Sequence, residues 1–341
     1  MKLKTITIDL AKNVFQVCGV NEHIKPQFNQ KLKRSELLDF MRQQTPTVVV
    51  MEACYSSHYW GREIAKLGHD TKLIPAQHVT PFVRGNKNDH NDAFAIAEAS
   101  QRANIRFVPV KSEHQQEISC LHRIRERLVK SKTAMSNQAR GLLSEFGVVF
   151  PCGHKALLSG LTSVIDNPQY SHRLQDMVID MLSEYDTTIE RLKSIKKQLN
   201  EFVDESESGK ILRSIPGIGV INASALLAAI DKGQAFNNPK EFAVWLGLTP
   251  KQHASGNISK MGGITKRGDR YLRKQLIHGA RAFVSRAAKS TDPLALWATK
   301  LRLTKPFNKV AVAVAHRLAR LIWILLTRQE HYRSTPGNLS A

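Results

Sequence analysis

The 341-residue chain has little cysteine, and that shortage limits the class of protein it can be. Its four cysteines lie far apart and form no Cys-x-x-Cys pair. This spacing argues against a zinc ribbon, offers no disulfide framework and favours a reducing cytoplasm. The chain begins with the alternating pattern of a strand rather than with a signal peptide. The most apolar late run, residues 310–326, contains His316, Arg317 and Arg320, which favours a buried helix over a membrane span.

Acidic residues are also scarce, since 29 of them face 50 basic residues and leave a formal net charge of +21. The excess is uneven along the chain. The net charge is +5 over residues 1–110, zero over 111–205 and +16 over 206–341. A strongly basic protein is expected to have a polyanionic partner. The concentration of charge in the last third predicts a dedicated nucleic-acid-binding part there, unlike the diffuse charge of a ribosomal protein.

Residues 1–110 have the pattern of an α/β domain. Residues 3–10 alternate with period two, and residues 14–20 and 24–31 predict a second and a third strand. Residues 47–51 are wholly apolar, which is typical of a strand buried on both faces. Helices and one more strand follow, up to a helix near residue 98. Three consecutive strands followed by alternating helix and strand predict a ribonuclease-H-like domain of the RuvC type.

The middle third, residues 111–205, is predicted to be helical. One helical pattern covers residues 113–145, and heptad spacing covers residues 174–204. One heptad position is occupied by Val178, Tyr185, Leu192 and Leu199. This pattern predicts a helical hairpin or coiled coil, whose seam serves either association between subunits or packing within the chain.

The last third, residues 206–330, is predicted to be a basic helical domain. Residues 214–220 (Ser-Ile-Pro-Gly-Ile-Gly-Val) have the form of a helix-hairpin-helix turn, in which glycines allow close backbone approach and helix N–H groups can face a phosphate. Further helices are expected near 239–246, 275–288 and 309–327, and residues 331–341 are expected to be a disordered tail. The predicted nucleic-acid-binding residues are Lys251, Lys260, Lys266, Arg267, Arg270, Arg273 and Lys274.

Four acidic residues have a spacing that suits a metal site. Asp9 and Glu52 end the first and fourth strands, which are adjacent in a ribonuclease-H-like sheet, so their side chains are expected to share one space. Asp89 and Asp92 share a face of the following alanine-rich helix if that helix has begun at Asp89. Four carboxylates without basic partners repel one another, and one or two Mg²⁺ or Mn²⁺ ions would relieve the repulsion. Each acid alone also fits a simpler role, such as helix capping or a turn at a strand end.

Ser255 is a weaker candidate when it is considered by itself. A serine before a glycine in a loop is usually only a turn residue. No histidine–aspartate relay is evident in the sequence, and His253 is too close along the chain to be assumed to be a base. The serine lies between Lys251 and the basic glycine-rich run, where a nucleic-acid phosphate is expected to lie.

Five segments, in this order and spacing, resemble one protein family. They are residues 7–12 (Thr-Ile-Asp-Leu-Ala-Lys), 51–54 (Met-Glu-Ala-Cys), 88–93 (Asn-Asp-His-Asn-Asp-Ala), 215–219 (Ile-Pro-Gly-Ile-Gly) and 247–256 (Gly-Leu-Thr-Pro through Ser-Gly). The chain resembles, over nearly its whole length, the bacterial insertion-sequence transposases that combine a RuvC-like DEDD domain with a C-terminal serine domain. These are the bridge-RNA-guided recombinases, related to the Piv-type DNA invertases.

The resemblance implies roles for particular residues. The family's four metal-binding acids fall on Asp9, Glu52, Asp89 and Asp92, and its nucleophilic serine falls on Ser255. The resemblance implies a covalent phosphoserine, Mg²⁺ held by the acids, and a tetramer (a dimer of dimers) in which the acids of one subunit meet the serine of another. It also implies that an element-encoded bridge RNA selects donor and target DNA by base pairing, in a cytoplasmic, nucleoid-associated bacterial protein.

Two other functions stay open at the level of the sequence. A metal-dependent endonuclease of the Holliday-junction type would use water and the acids alone, and it would leave nicks without a protein–DNA adduct. A non-catalytic nucleic-acid-binding scaffold would use only the basic last third, and it would keep its function after Asp89→Ala.

Overall fold

The structure, a computed structural model, describes residues 3–83, 89–102, 105–255 and 258–334. The chain divides into two compact units, residues 1–116 and 117–341. Three predicted features lie outside the described residues. They are the loop at 84–88, Gly256 of the serine motif and residues 335–341 of the tail.

The first unit contains a five-stranded mixed sheet. Its strands are β1 (Thr5–Leu10), β2 (Val14–Val20), β3 (Pro26–Lys33), β4 (Val48–Glu52) and β5 (Asp70–Ile74). The spatial order is β3-β2-β1-β4-β5. The first three strands form an antiparallel meander, whereas β4 runs parallel to β1 and β5 runs parallel to β4. The predicted adjacency of the first and fourth strands is therefore confirmed.

Helices cover both faces of this sheet. They are α1 (Leu37–Arg42), α2 (Ser57–Lys66), α3 (Ala76–Val79) and α4 (Asp89–Ser100). Successive strand residues point to opposite faces. On one face Met51 packs in a cluster with Trp60 of α2. On the other face Val50 packs in a cluster with Ile96 of α4. This alternation decides which polar strand residues lie on the side of α4.

The described part of the second unit is helical apart from one hairpin. Its helices are α5 (Glu113–Ser144), α6 (His154–Ile165), α7 (His172–Asp204), α8 (Glu207–Ser214), α9 (Val220–Ile230), α10 (Pro239–Trp245), α11 (Arg270–Val284), α12 (Pro293–Arg302) and α13 (Phe307–Arg328). The hairpin consists of β6 (Pro250–Ser255) and β7 (Ile258–Ile264). The structure thus contains α6, α12 and the hairpin, which the sequence patterns did not predict.

The heptad seam of α7 packs within the chain. Val178 and Tyr185 are buried in a cluster with Leu161 of α6. Leu199 is buried in another cluster, with Ile118 of α5. Of the two uses predicted for this seam, the described structure shows the packing within one chain.

Helix α13 forms part of the core of the second unit. Among the described residues it is the one helix long and apolar enough to cross a membrane, and half of its most apolar window is buried. Val314, Leu318 and Ile322 of α13 are in the same buried cluster as Phe242 of α10 and Leu276 of α11. These contacts are those of a core helix, as the charged residues within it predicted.

The predicted disorder of the tail does not hold at Tyr332. The backbone N–H of Tyr332 donates to Ser214 Oγ at 2.8 Å, and its hydroxyl donates to Asp292 Oδ2 at 2.7 Å. His331 also contacts Glu207 at 2.9 Å. These hydrogen bonds join residues distant in sequence, and such bonds leave no local pattern from which to predict them.

Candidate active site

Asp9 and Glu52 lie side by side at the ends of two neighbouring strands. The parallel pairing of β1 with β4 runs through Ile8 and Met51, and the two acids are the next residue of each strand. Neighbouring strands are about 4.8 Å apart, and both acids have the parity of the face toward α4. Burial raises the pKa of the nearby Cys54 thiol to about 11, and the charges of Glu52 and Asp9 raise that pKa as well. Both carboxylates therefore act on the same small region.

Helix α4 brings the other two acids to the same side of the sheet. Thr7, two residues before Asp9 on β1, donates its hydroxyl to the carbonyl of Ala93 in α4 at 2.7 Å. The helix begins at Asp89, and its first turn contains Asp89 and Asp92. The alanine-rich sequence has high helix propensity, and acids in the first turn interact favourably with the helix dipole. The capping role and a position near Asp9 are thus compatible.

The first turn of α4 is attached to β3. Asn29 Nδ2 donates to the carbonyl of His90 at 3.2 Å. Lys31 Nζ lies 3.2 Å from Asp89 Oδ2, and both side chains are more than half exposed. An exposed ion pair of this kind contributes about 0–1 kcal/mol. The ion pair with Lys31 therefore holds Asp89 near the edge of the sheet. Because this pair contributes little free energy, Asp89 can exchange Lys31 for another partner.

The four acids share one side of the sheet without forming a closed cluster. Among the described residues, no group of three or more His, Cys, Asp or Glu side chains is close enough to hold a metal ion. The surroundings of Asp9 nevertheless fit an oxygen-ligated cation. Gln16 lies opposite Asp9 in the β1–β2 register, and its Oε1 is buried with no hydrogen-bond partner among the described residues. A spare neutral oxygen beside two carboxylates suits a hard divalent cation.

Ser255 is the last residue of an exposed strand. Every residue of β6 is exposed, and Ser255 pairs with Ile258 at the closed end of the hairpin. Alternation puts His253 on the same face of β6 as Ser255, and His253 pairs across the hairpin with Lys260. At the hairpin base, Gly247 has φ +70, and a Cβ there would meet the Arg267 carbonyl oxygen at 2.1 Å. Ser255 thus lies outside the core, on an exposed arm that consists of the two strands β6 and β7.

The predicted nucleic-acid-binding residues fall into two groups. Exposed residues are Lys251, Lys260, Lys266, Arg267 and Arg270. Arg273, only 8% exposed, instead donates to the carbonyls of Leu246 and Gly268 at 3.0 and 3.5 Å. Lys274 pairs with Glu126 of α5 and lies 5.1 Å from the centre of the Tyr271 ring.

Arg273 therefore needs a correction, because its guanidinium is used to hold the end of α10 against α11. A sequence signal for this exists. Arg273 follows Leu272 on the buried face of α11 that continues through Leu276 and Ala280. Starting the predicted helix at Arg270 rather than at residue 275 would have placed Arg273 on that face.

A mixed α/β sheet with paired acids at the ends of its central strands, together with a basic helical unit, fits an enzyme that cuts or transfers phosphodiester bonds. Comparisons with known proteins agree. A DEDD-type family profile of IS110 elements, described as "Transposase", matches residues 6–148. A second profile, described as "Transposase IS116/IS110/IS902 family", matches residues 209–294.

Individual relatives cover the chain almost completely. A probable family 20 transposase of Pseudomonas aeruginosa is 42% identical over 99% of this chain and 100% of its own length. The transposase of insertion sequence element IS1111A of Coxiella burnetii is 38% identical over 97% of this chain and 92% of its own length. The chain belongs to the IS110/IS116/IS902 family of insertion-sequence transposases, and it is a DNA transposase.

A more distant similarity is to a gene-inverting protein. The pilin gene-inverting protein of Moraxella bovis is 24% identical over 80% of both chains. The resemblance to insertion-sequence transposases that the sequence motifs indicated is thereby confirmed, with Piv-like proteins as distant relatives.

Proposed function

We propose that this transposase is an RNA-guided DNA recombinase that breaks and rejoins DNA through Ser255. Asp9, Glu52, Asp89 and Asp92 would hold Mg²⁺, or Mn²⁺ in its place. One observation carries this proposal. Asp9 and Glu52 end adjacent strands on the face covered by α4, whose first turn contains Asp89 and Asp92.

The acids prepare the site by position and charge. Asp9 and Glu52 are fixed by the strand pairing, whereas Asp89 first has to release Lys31. Because that ion pair is exposed, its loss costs little free energy. When bound, the cation would neutralise charge on the phosphate that is being transferred.

Ser255 acts as the nucleophile in this proposal. Its Oγ forms a bond to a DNA phosphorus while one P–O bond of the strand breaks, and the serine proton passes through solvent to the released sugar oxygen, which becomes a hydroxyl. A hydroxyl of the other DNA strand then attacks the phosphoserine, restores Ser255 and rejoins the DNA. The exposure of all of β6 supports a composite site, in which this arm reaches the acids of another subunit within a tetramer.

The polyanionic partners are donor DNA, target DNA and a bridge RNA encoded by the element. The exposed basic residues around the hairpin and the net charge of +16 over residues 206–341 support this part. RNA that co-purifies with the full chain tests it. One discrete species from the flank of the element is expected, and random RNA would contradict guidance. Such a protein would work in the cytoplasm, at the nucleoid.

The serine mechanism is tested with Ser255→Ala in the full chain. This variant is expected to bind DNA normally but to lose both strand exchange and the protein–DNA adduct seen on denaturing gels. Ser259→Ala provides a matched control, because Ser259 lies on the facing strand β7 and is also exposed. It should retain both.

Other outcomes select the other functions. Recombination that persists in Ser255→Ala would show the serine mechanism to be wrong. Nicks with free ends and no adduct in the wild type would support the water-dependent endonuclease. A wild type that shows neither strand exchange nor nicking, together with unchanged nucleic-acid binding in Asp89→Ala, would support a scaffold without chemistry.

A further inference from the structure

Gln16 is a buried polar residue beside the acid pair, and the reaction proposed above does not use it. It is only 5% exposed. In the antiparallel β1–β2 register it lies directly opposite Asp9. Side chains of directly opposed residues point to the same face, with Cβ atoms about 4.5–5.5 Å apart. Gln16, Asp9 and Glu52 therefore form a row across three neighbouring strands, on the side of α4.

One half of the Gln16 amide is already used. Its Nε2 donates to Asn29 Oδ1 at 2.5 Å, and Asn29 Nδ2 donates to the carbonyl of His90 at 3.2 Å. A backbone carbonyl can only accept, so this last bond fixes the orientation of both amides. In this orientation the Nε2 of Gln16 is bonded to Asn29, and its Oε1 is left without that neighbour as a donor.

That free oxygen is buried and has no hydrogen-bond partner among the described residues. A buried acceptor left without a partner costs about 1–3 kcal/mol. Asp9 is the cross-strand neighbour of Gln16 on β1. An ionised carboxylate only accepts hydrogen bonds, so Asp9 cannot donate one to Gln16 Oε1. On its other side, Lys31 is paired with Asp89. Among the described residues none supplies the missing partner, and a group from outside the chain that attracts oxygen acceptors would supply it.

A divalent cation has that property, because Mg²⁺, Mn²⁺ and similar hard ions take amide and carboxylate oxygens as ligands. A neutral amide also adds a ligand to the site without adding to the repulsion among the carboxylates. We infer that Gln16 Oε1 is a further oxygen ligand of the cation site, held in position by Asn29. This inference rests on the proposed function, since it requires a cation at Asp9 and Glu52.

Mn²⁺ binding to the full chain, measured by electron paramagnetic resonance of the free ion, tests the inference. Gln16→Leu is expected to weaken binding by about 10- to 100-fold, the range found when a supporting group of a metal site is removed. Gln30→Leu is the matched control, because Gln30 is exposed on β3 and pairs with Val17, whose side chain lies on the opposite face of the sheet. It should bind Mn²⁺ as the wild type does.

A second variant provides a readout that does not depend on the stability of Gln16→Leu. Gln16→Glu keeps an oxygen at this position but adds a negative charge next to Asp9. Its melting temperature should be lower than that of the wild type without metal, and Mn²⁺ should raise it by more than it raises that of the wild type. An equal Mn²⁺-dependent rise in the two proteins would overturn the inference.

The remaining outcomes separate this inference from the proposed function. If Gln16 only joined β2 to β3, Gln16→Leu would lower the melting temperature equally with and without Mn²⁺ and would leave the Mn²⁺ affinity unchanged. The Asp9→Asn variant distinguishes a failure of the Gln16 inference from a failure of the proposed acid site. Lost binding in Asp9→Asn with normal binding in Gln16→Leu rejects the Gln16 ligand alone. Normal binding in both variants rejects the acid site itself.

Discussion

At the scale of single residues, the buried carboxylate of Asp292 joins two distant parts of the chain. Its Oδ1 accepts hydrogen bonds from the backbone of Leu294 and Ala295, at 2.8 and 3.4 Å, and so caps α12. Its Oδ2 accepts the hydroxyl of Tyr332. One buried charge therefore both starts a helix and holds the chain that follows α13.

Tyr332→Phe tests the second contact. Loss of a hydrogen bond to a charged group is expected to lower the free energy of unfolding by about 1.5–3 kcal/mol. Urea denaturation of the full chain would measure it. Tyr55→Phe is the control, since Tyr55 is 83% exposed and should change stability by less than about 0.5 kcal/mol. Equal stabilities of the two variants would show that the Tyr332 contact contributes nothing.

The contact between Tyr332 and Asp292 also predicts that the stability of the protein decreases at alkaline pH. Burial, the hydrogen bond to Asp292 and the charge of Asp292 raise the pKa of Tyr332 above its usual value of 10.0. The unfolded chain therefore releases this proton at a lower pH than the folded chain. The resulting stability is fully present below about pH 10 and is lost as pH rises toward the folded pKa. The stability difference between wild type and Tyr332→Phe should accordingly shrink above that pH.

At the scale of elements, the turn between α8 and α9 packs tightly against α11. Gly217 has φ +85, and a Cβ built on Gly279 of α11 would lie 2.2 Å from the Gly217 carbonyl oxygen. The glycines of this turn were expected to permit close approach to a phosphate. The structure shows that Gly217 permits close approach of a second helix inside the protein.

Gly279→Ala should therefore separate these elements. A clash with backbone atoms, which cannot rotate away, is expected to destabilise the chain by about 1–3 kcal/mol. Gly141→Ala is the matched control, because Gly141 also lies within a helix, α5, and a Cβ there meets nothing within 4 Å. That variant should gain about 0.5–1 kcal/mol through its better helix propensity. The urea midpoint should fall in Gly279→Ala and rise in Gly141→Ala. Equal shifts in the two variants would show that Gly279 is not needed for close packing against Gly217.

At the scale of the whole molecule, the compact units differ from the three parts that charge and pattern suggested. The predicted parts were 1–110, 111–205 and 206–330, whereas compactness divides the chain after residue 116. The structure contains bonds that cross the predicted boundary near residue 205. His122 of α5 contacts the Tyr271 hydroxyl at 2.8 Å and Ser224 Oγ at 3.0 Å. Ile118 of α5 also shares a buried cluster with Ala228 of α9.

These contacts predict how fragments behave. Residues 117–341 should unfold in one cooperative transition in urea, followed by circular dichroism. Residues 206–341 alone should unfold at a lower urea concentration, because they lose the His122 bonds and expose Ala228. Equal cooperativity and midpoints for both fragments would instead support an independent last third. The fragment 117–341 should also retain most of the salt dependence of DNA binding, since it contains the most basic part of the chain.

Much of the first unit could be predicted because its pattern is local. Alternation in β1 and the apolar run of β4 indicated strands, and their adjacency placed Asp9 next to Glu52. Helix propensity and capping residues predicted a helix in this segment, and its start at Asp89 meets the condition under which Asp89 and Asp92 share a face. In contrast, Gln16 could not be identified as a candidate, because its importance comes from a cross-strand neighbour and from an unpaired atom.

The second unit was harder to predict for physical reasons. The β6–β7 hairpin lacks the alternation of apolar and polar residues that indicates a half-buried strand, since β6 is exposed throughout. Arg273 looked like a surface cation because a charge in a basic run says nothing about the carbonyl groups that will surround it. Its two partners, Leu246 and Gly268, come together only in the fold.

The exposure of β6 also has a consequence for how this enzyme can change over time. Since none of the six residues in β6 is buried, substitutions there leave the packing of the second unit intact. The packed core therefore places little constraint on the side chains of the strand that carries Ser255. Variants of β6 can therefore be screened for altered DNA exchange with little expected loss of stability, which makes this strand a suitable target for directed evolution.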